Sequence, residues 1–143
     1  MQKSPNHRLA DRVLWALGRA SLQSQRLVRQ HMLEAGVRTQ HYHVMASLDG
    51  DGEAAQATLA DRIGLDRSDL VNVLDELEEV GYVARRVDPD DRRRKIVAIT
   101  AAGRKQLVAM DRLIYAAEDE LLAPLTAAER KVLLGLLSRV SGE

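Results

Sequence analysis

One change of period constrains this chain more than any other feature. Before Gly81 and again after Thr100, apolar residues recur three and four positions apart, the spacing of helices that bury one face. Between these stretches lie two short runs rich in branched residues, YVARRV (82–87) and KIVAI (95–99), which bracket an Asp-Pro turn. Such runs around such a turn predict a β-hairpin, and the length of the loop predicts a projecting tip. The expected fold is therefore mainly α with a small β-hairpin. At 143 residues the chain suffices for one domain or two small lobes sharing a core.

The helical stretches divide at turn signals. A first helix is expected from Leu9 to about Glu34, with Leu9, Val13, Leu17, Ala20, Leu27 and Val28 in its stripe and Gly36 as its stop. Thr39 is placed to cap a second, with Tyr42, Met45 and Leu48 inward. DGDGE (49–53) reads as a flexible break. A short third helix runs from about Gln56 to Ile63 with Leu59, Ala60 and Ile63 inward. GLDRSDL then turns the chain, with Asp66 as N-cap and Asp69 in the capping-box position. The fourth helix carries Leu70, Val73, Leu74, Leu77 and Val80 inward and ends at Gly81. After the hairpin, one helix spans Ala101 to Leu122 and Pro124 closes it; Thr126 and Glu129 form a capping box for the last, which carries Val132, Leu133, Leu136, Leu137 and Val140. A single small monomer can hardly cover the stripes of both terminal helices plus the first, so a homodimer is expected.

Several classes fall away. There is no cysteine, which excludes disulfides, thiolate zinc sites and thiol redox sensing. No run of eighteen apolar residues exists, and MQKSPNHRLADR lacks the apolar centre of a leader peptide, so a reducing cytoplasmic location is expected. The chain shows no Ser/His/Asp arrangement and no Gly-rich phosphate loop, so neither an enzyme nor a cofactor is expected. His41 and His43 lie two apart and point in different directions on a helix, and His7 and His31 stand alone, so no metal site is expected.

Two short helices joined by a Gly-containing turn and followed by a hairpin are in winged helix-turn-helix order. With the leucines inward, the second of these helices presents Arg67, Ser68, Val71, Asn72 and Asp75. Arg67 suits guanine or phosphate, Ser68 at the helix start suits phosphate, and Asn72 suits adenine. The formal net charge is zero, so attraction to DNA must come from the placement of charge. RRVDPDDRRRKIVAIT (85–100) concentrates it: Arg85, Arg86, Arg92, Arg93, Arg94 and Lys95 surround Asp88, Asp90 and Asp91. An arginine on a hairpin tip can enter a minor groove narrowed at A·T steps. Asp88 and Asp90, with Pro89, suit the turn itself.

Residues 59–103 resemble the winged-helix core of the MarR (multiple antibiotic resistance regulator) family of bacterial transcription factors. The resemblance rests on Asp88-Pro89-Asp90-Asp91-Arg92-Arg93, which matches the family's Asp-Pro-x-Asp-x-Arg wing, and on Ile99-Thr100-Ala101-Ala102-Gly103, which matches its Leu-Thr-x-x-Gly element with Ile for Leu. It implies a single domain over 1–143, with a DNA-binding lobe at 39–100 and a dimerisation lobe from 1–36 and 101–143. It also implies a homodimeric repressor on a pseudo-palindromic operator, with Arg67, Ser68, Asn72, Arg92, Arg93 and Arg94 at the DNA. Asp91 would orient the wing through Arg93. Many relatives release DNA on binding a small aromatic anion, for which Trp15, His41, Tyr42 and Met45 are the candidate lining. The rival function is a non-enzymatic winged-helix protein–protein adaptor, which would show no salt-sensitive binding to duplex DNA.

Overall fold

The periods resolve into helices α1 (His7–Ala10), α2 (Val13–Glu34), α3 (Thr39–Asp51), α4 (Gln56–Ile63), α5 (Arg67–Glu79), α6 (Ala101–Leu121) and α7 (Ala127–Ser141), with strands β1 (Ala54–Ala55), β2 (Val83–Val87) and β3 (Lys95–Ile99). The structure is a computed structural model that describes residues 7–143. The opening of the segment read as lacking a leader lies outside them. The chain divides into two units: one is the chain up to His31 with Ile114–Glu143, the other Met32–Leu113. Among the described residues no helix is long and apolar enough to cross a membrane.

The second unit holds the winged helix. Its core is built from Leu48, Leu59, Leu70, Leu74, Leu77 and Val97, with Met45 and Met110, all buried. Each such aliphatic contributes about 1.5–3 kcal/mol by leaving water. The inward set of α5 is as the period predicts except at its end. Val80 is exposed, because the helix has already stopped at Glu79 and Val80 has left helical geometry, with ψ at 0°. α3 also differs from expectation at both ends. Arg38, not Thr39, occupies its N-cap, without a side-chain cap. The helix continues through Asp51, so the DGDGE segment is mostly helix rather than a flexible break.

The turn between α4 and α5 requires glycine. Gly64 adopts φ 67°, in the left-handed region where a β-carbon is strained, and its N–H closes on the carbonyl of Ala60. Asp66 then stands at the N-cap position of α5, but its side chain makes no capping bond, and no capping box forms with Asp69. Asp69 is too short to reach back in the way glutamate does.

The sheet is antiparallel in the order β1-β3-β2. β2 and β3 form the expected hairpin, paired from Val83↔Ile99 to Val87↔Lys95. β1 adds a third strand on the other edge of β3, with Ala54 opposite Val97 and Ala55 opposite Ile96. After β3, Thr100 ties the sheet to α6. Its hydroxyl donates to the carbonyl of Gly81 at 2.6 Å and accepts the N–H of Gly103 at 3.0 Å. Its own N–H donates to the carbonyl of Tyr82 at 3.0 Å. Gly103 is buried against that same strand entry, which accounts for a Thr-x-x-Gly spacing in local physical terms.

In the first unit, the expected long first helix is interrupted. The N–H of Arg12 closes on the carbonyl of Leu9 at 3.0 Å, and the helix restarts at Val13. Val13, which the period placed in the apolar stripe, is exposed. Leu27 and Ala117 are buried. His31 meets Glu120 at 3.0 Å and Arg130 meets Asp119 at 2.7 Å. The capping box of α7 is complete, with the N–H of Glu129 on Thr126 Oγ1 at 3.2 Å and the N–H of Thr126 on Glu129 Oε1 at 2.9 Å. Yet α7 buries no residue. Val132, Leu134, Leu136, Leu137 and Val140 are all exposed.

Candidate nucleic-acid interface

α5 turns its leucines into the core, and Arg67, Ser68 and Asn72 are left exposed on its outer side. Val71 is partly exposed beside them. An open cleft of about 480 Å³ lies along one flank of the helix, lined by Arg38, Gln40, Asp69, Asn72, Val73, Asp75 and Glu76. Arg38 and Gln40 were not singled out in the sequence. They belong to the start of α3, far from the helix-turn-helix pattern, and only the fold brings them beside Asn72. His41, one of the candidate ligand-lining residues, is engaged here. Its Nε2 lies 2.7 Å from Glu76 Oε2, and Arg38 donates to the same oxygen. The hydrogen bond from His41, followed by the charge of Arg38, holds the Glu76 carboxyl below its ordinary value.

Two of the other candidate lining residues are engaged too. The Tyr42 hydroxyl donates to Asp111 Oδ1 at 2.8 Å, and Met45 is packed in the core. Trp15, in the first unit, is 46% exposed.

The arginines of the wing fall into two groups. Arg85 and Arg86, on β2, are committed to intramolecular acids. Arg86 forms a two-bond fork with Glu53 at 2.8 and 2.9 Å, reaching past β3 to the residue before β1. Arg85 bonds Asp75 and Glu78 of α5. That contact holds the Glu78 carboxyl below its usual range and raises the arginine. Arg92, Arg93 and Arg94 remain at the tip, all exposed. The side chain of Arg93 is 92% exposed.

The acids of the tip shape it. Asp88 Oδ1 accepts the N–H of Asp90 at 2.9 Å, and the Asp88 N–H donates to the carbonyl of Arg94 at 2.9 Å. Asp91 Oδ1 accepts the backbone N–H of Arg93 at 3.1 Å and its Nε at 3.4 Å. The contact uses one carboxylate oxygen and one guanidinium nitrogen, not a fork. Among the described residues no group of His, Asp and Glu is placed to hold a metal ion.

An outward helix after a tight Gly turn, a wing tipped with exposed arginines and a small sheet anchoring both define a winged helix-turn-helix protein. The family model of the MarR family matches residues 38–95. A protein of Thauera aromatica described as a transcriptional regulatory protein for the hcr operon is 32% identical over 105 residues, covering 73% of this chain and 63% of that protein. The transcriptional repressor CouR, solved bound to a 23-mer DNA duplex, superposes with a TM-score of 0.83 at 27% identity, covering 98% of this chain and 99% of CouR. The PcaV regulator of Streptomyces coelicolor, solved with its natural ligand, superposes with a TM-score of 0.72 at 28% identity, covering 99% of this chain and 98% of PcaV. The winged-helix segment, residues 38–95, belongs to the MarR family.

Proposed function

We propose that this chain is a cytoplasmic repressor that binds duplex DNA as a homodimer, with α5 in the major groove and the wing in the minor groove. The carrying observation is the division of the wing's arginines: Arg85 and Arg86 are spent on internal acids, while Arg93 stands almost wholly in solvent at the tip. A tip of that kind matches the deep negative potential of a narrow minor groove. Asn72 serves as the base reader, Arg67 and Ser68 hold the phosphates or a guanine, and Arg92 and Arg94 flank the inserted arginine. Asp91 orients Arg93. Two symmetric copies would set their recognition helices about 34 Å apart, one helical turn of a pseudo-palindromic operator. The exposed stripe of α7 supports the dimer. The likeness to CouR, solved on a DNA duplex, supports the DNA partner.

A small aromatic anion is the proposed effector, supported by the likeness to PcaV, solved with its natural ligand. Selection of bound fragments from genomic DNA, followed by titration at several salt concentrations, tests the main proposal. A steep fall of affinity with salt is expected. Absence of duplex binding at low salt would leave the protein–protein adaptor as the better account. Calorimetry against a panel of aromatic carboxylates tests the effector, and silence across the panel with DNA binding unchanged would remove it.

A further inference from the structure

A charge problem sits on the recognition helix. α5 carries one basic residue, Arg67, against five acids: Asp69, Asp75, Glu76, Glu78 and Glu79. A helix of that charge is poorly suited to a groove walled by phosphates. The fold answers at three of the acids. Glu76 is held by Arg38 and His41. Asp75 and Glu78 are both held by Arg85.

The Arg85 contact is built rather than incidental. Its side chain is only 13% exposed, against 92% for Arg93. Nη2 donates to Asp75 Oδ1 at 2.6 Å and to Glu78 Oε1 at 3.2 Å, Nε donates to Glu78 Oε2 at 3.1 Å, and Nη1 donates to Gln56 Oε1 at 3.4 Å. Asp75 and Glu78 lie three apart on α5, neighbours on one helix face. Gln56 opens α4. One guanidinium on the first wing strand thus joins both helices of the helix-turn-helix to the wing. With its donors so engaged, it has little left to offer a phosphate.

We infer that Arg85 is a positioning residue for DNA binding, acting through Asp75 and Glu78: it neutralises two carboxylates on the groove-facing helix and makes no DNA contact of its own. This rests on the proposed seat of α5 in the major groove. It separates the wing's arginines by task, since those at the tip bind DNA and the one at the base permits the helix to approach it.

The test uses full-length protein and a genomic duplex recovered by binding selection with the parent. Four proteins are compared by fluorescence anisotropy at several salt concentrations: parent, Arg85→Ala, Asp75→Asn/Glu78→Gln, and all three changes together. Arg85→Ala should bind roughly tenfold more weakly, because two unit charges are uncovered beside phosphates. The triple variant should recover most of that loss with the parent's salt slope. The carboxamide pair with Arg85 intact should bind at least as tightly as the parent. A direct phosphate contact would instead leave the triple variant as weak as Arg85→Ala, with a salt slope lower by about 1. A purely structural role would lower melting temperature while folded Arg85→Ala bound normally. Either result would overturn the inference. If Arg85→Ala does not fold, the carboxamide pair decides: binding weaker than the parent's refutes masking, and equal or tighter binding upholds it. A parent that binds no duplex would sink the seat of α5 in the groove, and the inference with it.

Discussion

Gly103 lies so close to Tyr82 that a β-carbon on it would stand 2.1 Å from the Tyr82 carbonyl oxygen. That oxygen is not free to move away, because it accepts the N–H of Thr100. Gly103→Ala must therefore displace either the start of α6 or the entry of the wing. Overpacking of this kind costs roughly 1–3 kcal/mol. Urea denaturation should show the midpoint falling with the slope unchanged. A variant as stable as the parent would mean that α6 shifts freely against the sheet.

Asn72 should behave as a base reader. Asn72→Ala is expected to cost roughly 1–3 kcal/mol on the preferred site, to relax preference at one base pair per half-site, and to leave random-sequence affinity nearly unchanged. Competition binding with site variants measures this. Equal weakening on specific and random DNA would assign Asn72 to the backbone instead.

The wing prediction has an unusual sign. Asp91 accepts two bonds from Arg93, one from the backbone and one from the side chain. Holding an arginine in place beforehand reduces the side-chain entropy lost on insertion, on the order of 2 kcal/mol for a free side chain. Asp91→Ala makes the wing more basic, yet it should weaken operator binding, as Arg93→Ala does. The double variant should cost less than the two singles together. Tighter binding by Asp91→Ala at every salt concentration would make Asp91 a mere repulsive charge.

Glu76 links acidity to stability. Its carboxyl is held below the ordinary 4.5 by the bond from His41 and by Arg38. A carboxyl with a depressed folded pKa contributes stability that is fully present above the unfolded pKa and is lost as pH falls through the folded one. Glu76→Gln should therefore be less stable than the parent near neutrality, by roughly 0.2–1 kcal/mol for so exposed a group. The gap should close as pH falls below 4.5 and on through the lowered value of the folded protein. Thermal melts across that range decide it, and a gap independent of pH would mean that the charge of Glu76 contributes nothing.

The dimer proposal concentrates on α7. Leu136→Glu with Val140→Glu places two charges on a stripe that the monomer leaves exposed. The expected species in sedimentation is a folded monomer, with operator affinity down by about two orders of magnitude as the second half-site becomes a separate binding event. A dimer of unchanged strength would place the interface elsewhere.

What the sequence disclosed depended on how local the signal was. The bounds of α4 and the capping box at Thr126 and Glu129 were legible because each is decided within a turn or two of chain. β1 was not, since two alanines cannot display an alternation. The fates of Arg85 and Arg86 were hidden for another reason. Their partners lie 7, 10 and 33 positions away and meet them only through the packing of α5 against β2 and the pairing of the sheet. Five arginines flank one turn, and the fold makes two populations of them. The same holds for Arg38, brought to Asn72 by packing alone.

Trp15 is the only tryptophan in the chain, and it stands half in solvent on α2. The tryptophan emission of the unlabelled protein, excited at wavelengths that tyrosine does not absorb, therefore originates in the helical unit and not in the winged helix. Far-UV circular dichroism, by contrast, averages over every helix. The two optical signals are spatially distinct probes built into the native protein. Recorded together through a denaturant titration, coincident curves would mean that the two units melt as one, and a tryptophan transition that runs ahead would mean that the terminal helices let go first.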